Sequence, residues 1–189
     1  MALDTTVEFL GVDDCKVYTI ATDTAESYAV ATGVDIPIKS VSYTPEIESK
    51  SLYQDERTYD RYSNNKEMTV KLTSGSLSQE ALKALMGGTV TASGTTPSQV
   101  STYGYNGGVL DVYVQIAFQI KYVNGAGDMH FKFMKAKVDS IDVSGNAEEY
   151  GEVSITLKAI PTTYAFASGT MMQVVINETE TALTATVSA

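Results

Sequence analysis

The chain has 189 residues, with 13 Lys and Arg against 23 Asp and Glu, a formal net charge of −10 and a single Cys. That length fits one domain with a real core, and the lone Cys15 excludes an internal disulfide or a Cys-built zinc site, which points to folding in a reducing compartment. Basic residues scattered along an acidic chain do not form the concentrated cationic face that tight nucleic-acid binding requires.

The first ten residues, MALDTTVEFL, show neither a basic n-region nor an apolar h-region, so no secretory signal is expected. No apolar run approaches the ~20 residues of a membrane helix. Val7–Leu10 and Lys16–Ile20 read as short strands, with Gly11–Asp14 as a turn between them. Ile36–Tyr43 is a clearer strand, and Pro37 places its beginning at an edge. Residues 46–66 are polar and charged without stable periodicity, and read as a long loop. Tyr53, Arg57, Tyr59, Arg61 and Tyr62 punctuate it; Tyr and Arg are enriched at interfaces, so these are candidate assembly contacts.

Met68–Leu72 alternates as a short strand. The helix is expected over 77–86: Ser76 and Gln79 have capping-box spacing, Leu82, Leu85 and Met86 form an apolar stripe with Leu77 near its start, and Gly87-Gly88 close it. A helix this short is marginal alone, so it must lie against a sheet. Residues 89–108 are rich in Gly, Ser and Thr and read as a second loop around a short strand.

Val112, Val114, Ile116, Phe118, Ile120 and Tyr122 follow with a period of two. Asn124–Gly127 has the residues of a tight reversal, and a second extended run covers Met129–Val143. The first strand of this hairpin is about 11 residues, roughly 37 Å and twice the usual length. Such a hairpin suggests strand pairing beyond the chain's own boundary, with Ile116 and Phe118 as candidate assembly residues. Lys132, Lys135 and Lys137 lie in its second arm, where alternation slips at Met134. At least two of them are expected to point outward or to pair with carboxylates such as Glu148, Glu149 or Glu152. Residues 148–160 alternate cleanly through Val153, Ile155, Leu157 and Ala159 up to Pro161, and Met171–Ile176 is a last strand candidate. The expected division is therefore a single β domain over 1–176 and a C-terminal arm over 177–189, either disordered or ordering on a partner.

Catalytic chemistry is not visible. His130 is the sole histidine, set on a strand where a surface or interface position is the ordinary reading, and Cys15 has no basic neighbour in sequence. Asp13-Asp14 and Glu148-Glu149 lack EF-hand spacing, and residues 104–108 are not followed by a phosphate-loop Gly-Lys-Ser/Thr. There is no Gly-x-Ser-x-Gly and no Trp for a carbohydrate platform. No catalytic, cofactor or metal residue is assigned, and the chain is read as a non-enzyme.

The order of parts is strand, polar Tyr-rich stretch, strand, one short helix, Gly/Ser/Thr stretch, long hairpin and closing strands. Carried by residues 33–88 and 111–161, it resembles the major tail protein, or tail tube protein, of long-tailed bacteriophages. The resemblance implies a mainly β fold, a β-sandwich or partly open β-barrel with one short flanking α-helix. It implies hexameric rings that stack into a hollow tube conducting DNA from capsid to host without tight binding. It further implies residence in the virion tail after synthesis in the host bacterial cytoplasm, and tape measure, tail terminator and distal tail proteins as partners. The stretch 46–66 would reach a neighbouring subunit or ring, and an acidic lumen would repel phosphates. The alternative is a β-sandwich binding or decoration module on a virion, recognising carbohydrate or a receptor; a metal-dependent hydrolase is disfavoured by the single His.

Overall fold

The computed structural model describes residues 9–54, 57–108, 110–123, 127–145, 151–167 and 170–188. Its strands are β1 (Phe9–Asp23), β2 (Tyr28–Val30), β3 (Val34–Asp35), β4 (Ile38–Gln54), β5 (Arg57–Ser74), β6 (Thr89–Ser93), β7 (Val100–Gly104), β8 (Val114–Tyr122), β9 (Asp128–Ser144), β10 (Glu152–Ala159) and β11 (Met172–Asn177), with α1 (Gln79–Met86) between β5 and β6. A nine-stranded sheet runs β2-β1-β8-β9-β10-β5-β4, with β11 added on β9 and β3 on β1; β6 and β7 form a separate two-stranded sheet. The fold is thus mainly β with one short helix, as the alternating runs predict. The large sheet is not closed. It coils until β1 and β4 approach each other, and Tyr43 of β4 sets its ring against Phe131 and Phe133 of β9, with centroids 6.0 and 5.6 Å away.

Alternation explains the inner face. Val114, Ile116 and Phe118 from β8, Val153, Ile155, Leu157 and Ala159 from β10, and Val70 and Leu72 from β5 meet in one core. Phe118 stacks on Phe131 at 5.0 Å with 10° between the planes. The slip at Met134 is a bulge: Val114 pairs with Ala136, but Ile116 pairs with Phe133. The extra residue turns the remainder of β9 so that Ala136 as well as Phe133 faces the core.

Helix α1 closes one side of the core with Ala81, Ala84 and Leu85. Its N-cap is Ser78, whose hydroxyl accepts from the Ala81 N–H at 3.1 Å. The helix therefore starts two residues later than the expected 77, and the Gln79 side chain does not close a capping box but bonds through its carboxamide to Ser101.

Other expectations are corrected. Gly11–Asp14 is not a turn: β1 runs through it, accommodating the irregularity as register shifts against β8 around Val12, with Gly11 at φ 127°. Residues 89–104 hold a hairpin, β6 with β7, and not a loop around one strand. The stretch 46–66 is not a loop either; apart from residues 55–56, outside the described set, it is strand, paired from Glu46 with Glu67 to Gln54 with Arg57.

Candidate assembly surface

Strand β10 pairs with β5 only from Met68 to Ser74. Beyond that point the β4–β5 hairpin leaves the sheet as a bare two-stranded ribbon, β4 from Glu46 to Gln54 against β5 from Arg57 to Glu67. At about 3.4 Å per residue, each arm extends roughly 30 Å. An isolated two-stranded hairpin is marginal in water. Along its whole length β4 is also an end strand of the sheet, so a row of main-chain donors and acceptors faces outward.

The ribbon starts at a bulge. Glu46 pairs with Glu67, while Ile47 pairs with Asn65, leaving Lys66 as the extra residue. Two carboxylates thus face each other at the root, and Lys158 of β10 sits between them, bonded to Glu46 and 3.8 Å from Glu67. Thr69 also donates to Glu46 at 2.5 Å. The Lys158 and Thr69 bonds hold the Glu46 carboxyl down at about 2, while the facing Glu46 raises that of Glu67 above its ordinary value. Further out, Lys66 reaches Glu48 at 2.8 Å.

The residues singled out from sequence divide into two groups. Tyr53, Arg57, Tyr59, Arg61 and Tyr62 all lie on the ribbon. Tyr53 pairs with Thr58, Arg57 with Gln54, Arg61 with Ser51 and Tyr62 with Lys50; Tyr59 falls in the register shift beside Tyr53. Tyr62 is 64% exposed. Ile47, which carries no interface signal in the sequence, is 61% exposed. Strand alternation puts Ile47, with its partner Asn65, and Tyr62, with its partner Lys50, on opposite faces. Ile116 and Phe118, by contrast, are 0% and 1% exposed in the chain's own core. They position β8 and offer no surface to a neighbour.

A second polar region has no counterpart among the sequence expectations. On the outer face of β8, Gln115, Ala117 and Gln119 are buried as well. What covers them is the segment after β11, residues 178–188, which therefore does not stand free. Asp128 is fully buried; its carboxylate accepts from Gln119 at 2.5 Å, Asn177 at 2.6 Å and the Thr181 N–H at 2.7 Å. Burial raises its carboxyl, but the Thr181 N–H, Asn177 and His130 outweigh burial and hold it below the ordinary value. His130 is buried, with Nε2 3.1 Å from Thr181 O and 3.3 Å from Asp128 Oδ2. Its expected surface position is corrected: the covering segment encloses it. Cys15 is buried, its thiol pushed up to about 12 by that burial and then by Asp14 and Asp35.

Of the three β9 lysines, Lys135 and Lys137 share the Tyr113 ring, with Lys135 Nζ 4.7 Å from its centroid. Lys135 pairs with Asp23 at 2.7 Å; Lys137 sits over the Tyr113 ring at 5.1 Å; Lys132 is buried, its ammonium pKa lowered by that burial. Of the carboxylates expected to meet them, Glu152 instead lies near Lys39 at 4.0 Å, and Glu148 and Glu149 lie outside the described residues. Among the described residues no three His, Cys, Asp or Glu converge as metal ligands, and no helix is long and apolar enough to cross a membrane.

No protein-family profile matches the sequence, and no curated protein matches it. Among solved structures the chain is similar to the tail tube of SPP1, determined by solid-state NMR and cryo-EM, at 12% identity and a TM-score of 0.44, over 88% of this chain and 78% of that one.

Proposed function

We propose that this chain is the structural subunit of a phage tail tube, assembling through its own sheet edges and its projecting ribbon into hexameric rings that stack around a channel for DNA. The observation that carries this reading is the bare ribbon of residues 46–54 and 57–67 on an end strand. Among the described residues no layer covers the ribbon, two such strands do not hold themselves in place, and an unpaired edge of this length invites a further chain. Exposed Ile47 and Tyr62 on opposite faces suit a ribbon gripped from both sides. A second copy supplies both the pairing strand and the cover, and a head-to-tail contact that closes by rotation gives a ring. The order of elements, which resembles phage tail tube proteins, supports the same reading.

In that assembly Tyr53, Arg57, Tyr59, Arg61 and Tyr62 are the contact residues, the net charge of −10 keeps the channel from holding phosphates, and tape measure, terminator and distal tail proteins are its partners within the virion. Electron microscopy of negatively stained, concentrated protein, with sedimentation velocity, tests it. Rings or tubes are expected. Uniform monomers at every concentration would overturn the reading and favour a monomeric binding module.

A further inference from the structure

The segment over β8 and β9 is held in an unusual way: side chains of the sheet bond to its main chain. The carboxamide of Gln115 makes a double contact, Nε2 donating to Thr186 O at 3.0 Å and Oε1 accepting from Thr186 N at 2.9 Å. That pair reproduces with a side chain what a neighbouring strand does with its peptide group. Thr181 is gripped likewise: its N–H donates to Asp128 Oδ2 at 2.7 Å, and its carbonyl accepts from Gln119 Nε2 at 3.3 Å and lies 3.1 Å from His130 Nε2. Tyr18 OH reaches Leu183 O at 3.4 Å, and Ser188 N donates to Tyr28 O at 2.9 Å. The segment runs antiparallel to β8, with Thr181 near Gln119 and Thr186 near Gln115.

Only one side chain of the segment is deeply enclosed. Leu183 is 4% exposed, packed with Tyr18 and Ala117. Thr184 and Val187 are exposed. The sheet residues beneath require an occupant: Gln115, Gln119, Asp128 and His130 are buried, and buried polar groups left without partners are costly.

We propose that the outer face of β8 and β9 is a peptide-binding groove that reads the main chain of an extended segment and selects one branched aliphatic side chain. Residues 178–188 are its resident ligand, exchangeable for the same segment supplied in trans. Selectivity centres on the Leu183 position, because most other grips fall on main-chain groups that all non-proline residues share; the side chains of Asn177, just before the segment, and of Glu180, Thr186 and Ser188 add polar contacts, to Asp128 at 2.6 Å, Lys121 at 2.9 Å, Gln173 at 3.0 Å and the Tyr28 carbonyl at 3.0 Å.

The test uses the full chain carrying Leu183→Asp, which weakens the resident segment, and a fluorescein-labelled synthetic peptide of residues 177–189 read by anisotropy. Hydrogen exchange of β10 establishes that the variant keeps its fold; if it does not, Thr186→Pro, which removes one main-chain donor, serves as host. The host is expected to bind the peptide at least tenfold more tightly than the unaltered chain, whose own segment competes. A peptide with Leu183→Asp, or with the Thr186 nitrogen methylated, loses at least tenfold, whereas peptides with Thr184→Ser or Val187→Ala stay within threefold. No gain in a folded host, indifference to the methylated nitrogen, or an equal loss at Thr184 and Leu183 would each overturn the proposal. None of these outcomes depends on whether the chain forms tubes.

Discussion

Lys135 Nζ lies 2.7 Å from Asp23 Oδ2, joining the middle of β9 to the far end of β1 across 112 residues of sequence. Asp23 also accepts from the N–H groups of Thr163 and Tyr164 at 2.8 and 3.0 Å, so one carboxylate fixes the end of β1 and the loop after β10. Its side chain is 7% exposed. Asp23→Ala leaves Lys135 without a counter-charge and two N–H groups without an acceptor. It should cost about 3 kcal/mol, measured by urea unfolding. A loss under about 1 kcal/mol would mean that water takes over these bonds.

Acid should act on the same carboxylate and on Asp128. Burial opposes ionisation of both, but their bonds, led by Lys135 for Asp23 and the Thr181 N–H for Asp128, keep both below their ordinary value. Groups of this kind stabilise the fold above the unfolded carboxyl's range and lose that contribution as pH falls through the lower, folded one. The loss is therefore expected below about pH 4. Hydrogen exchange corrected for its intrinsic pH dependence should show the amides of residues 181–188 opening there before those of β10. Simultaneous opening would place the segment and the sheet in one cooperative unit.

At the ribbon root the expected behaviour reverses. Lys158→Met leaves Glu46 and Glu67 facing each other without the intervening ammonium. The variant should be less stable than the parent at about pH 7 and recover on acidification, because a proton on either carboxyl removes the repulsion. Adding Glu67→Gln in that background should restore stability at neutral pH. Thermal melts of the three proteins at about pH 7 and about pH 4.5, far above and close to the ordinary glutamate value of about 4.3, check this. If Glu67→Gln fails to rescue the variant, the two carboxylates do not act on each other.

Phe118 and Tyr62 should separate folding from assembly. Phe118→Ala removes a stacked core ring and is expected to cost about 3–5 kcal/mol. Tyr62→Ser and Ile47→Ser lie on an exposed ribbon and should shift stability by no more than about 0.5 kcal/mol, while raising the concentration at which larger species appear in sedimentation. Unchanged assembly in both ribbon variants would remove the ribbon from the interface.

What could be read from sequence follows from which surfaces are buried. The β8–β9 hairpin, β10 and the helix stripe were legible because one face of each meets the core and leaves an apolar period. Residues 46–66 were not, since among the described residues nothing covers either face of the ribbon; Ser49, Lys50, Ser63 and Asn64 carry no alternation. Of the Tyr and Arg residues read there as contacts, Tyr62 is exposed. Ile116 and Phe118 belonged to the same signal that betrays a core strand, and sequence alone does not separate a core within one chain from an interface between two. The outer face of β8 was hidden for a different reason: Gln115, Gln119 and His130 look solvated, and most of the bonds that hold the covering segment are to its peptide groups, which every sequence possesses.

The 17 residues of β9 are bonded along one edge to β8 and along the other first to β11 and then to β10. A pull along this strand loads its ladders in shear, so many bonds must fail together, whereas a pull across the sheet would peel them one pair at a time. The chain is therefore mechanically anisotropic, stiffest along β9. Under tension its lifetime is set by the unfolding rate and not by equilibrium stability, so substitutions that spare the melting temperature but interrupt the β9 ladders should shorten it most.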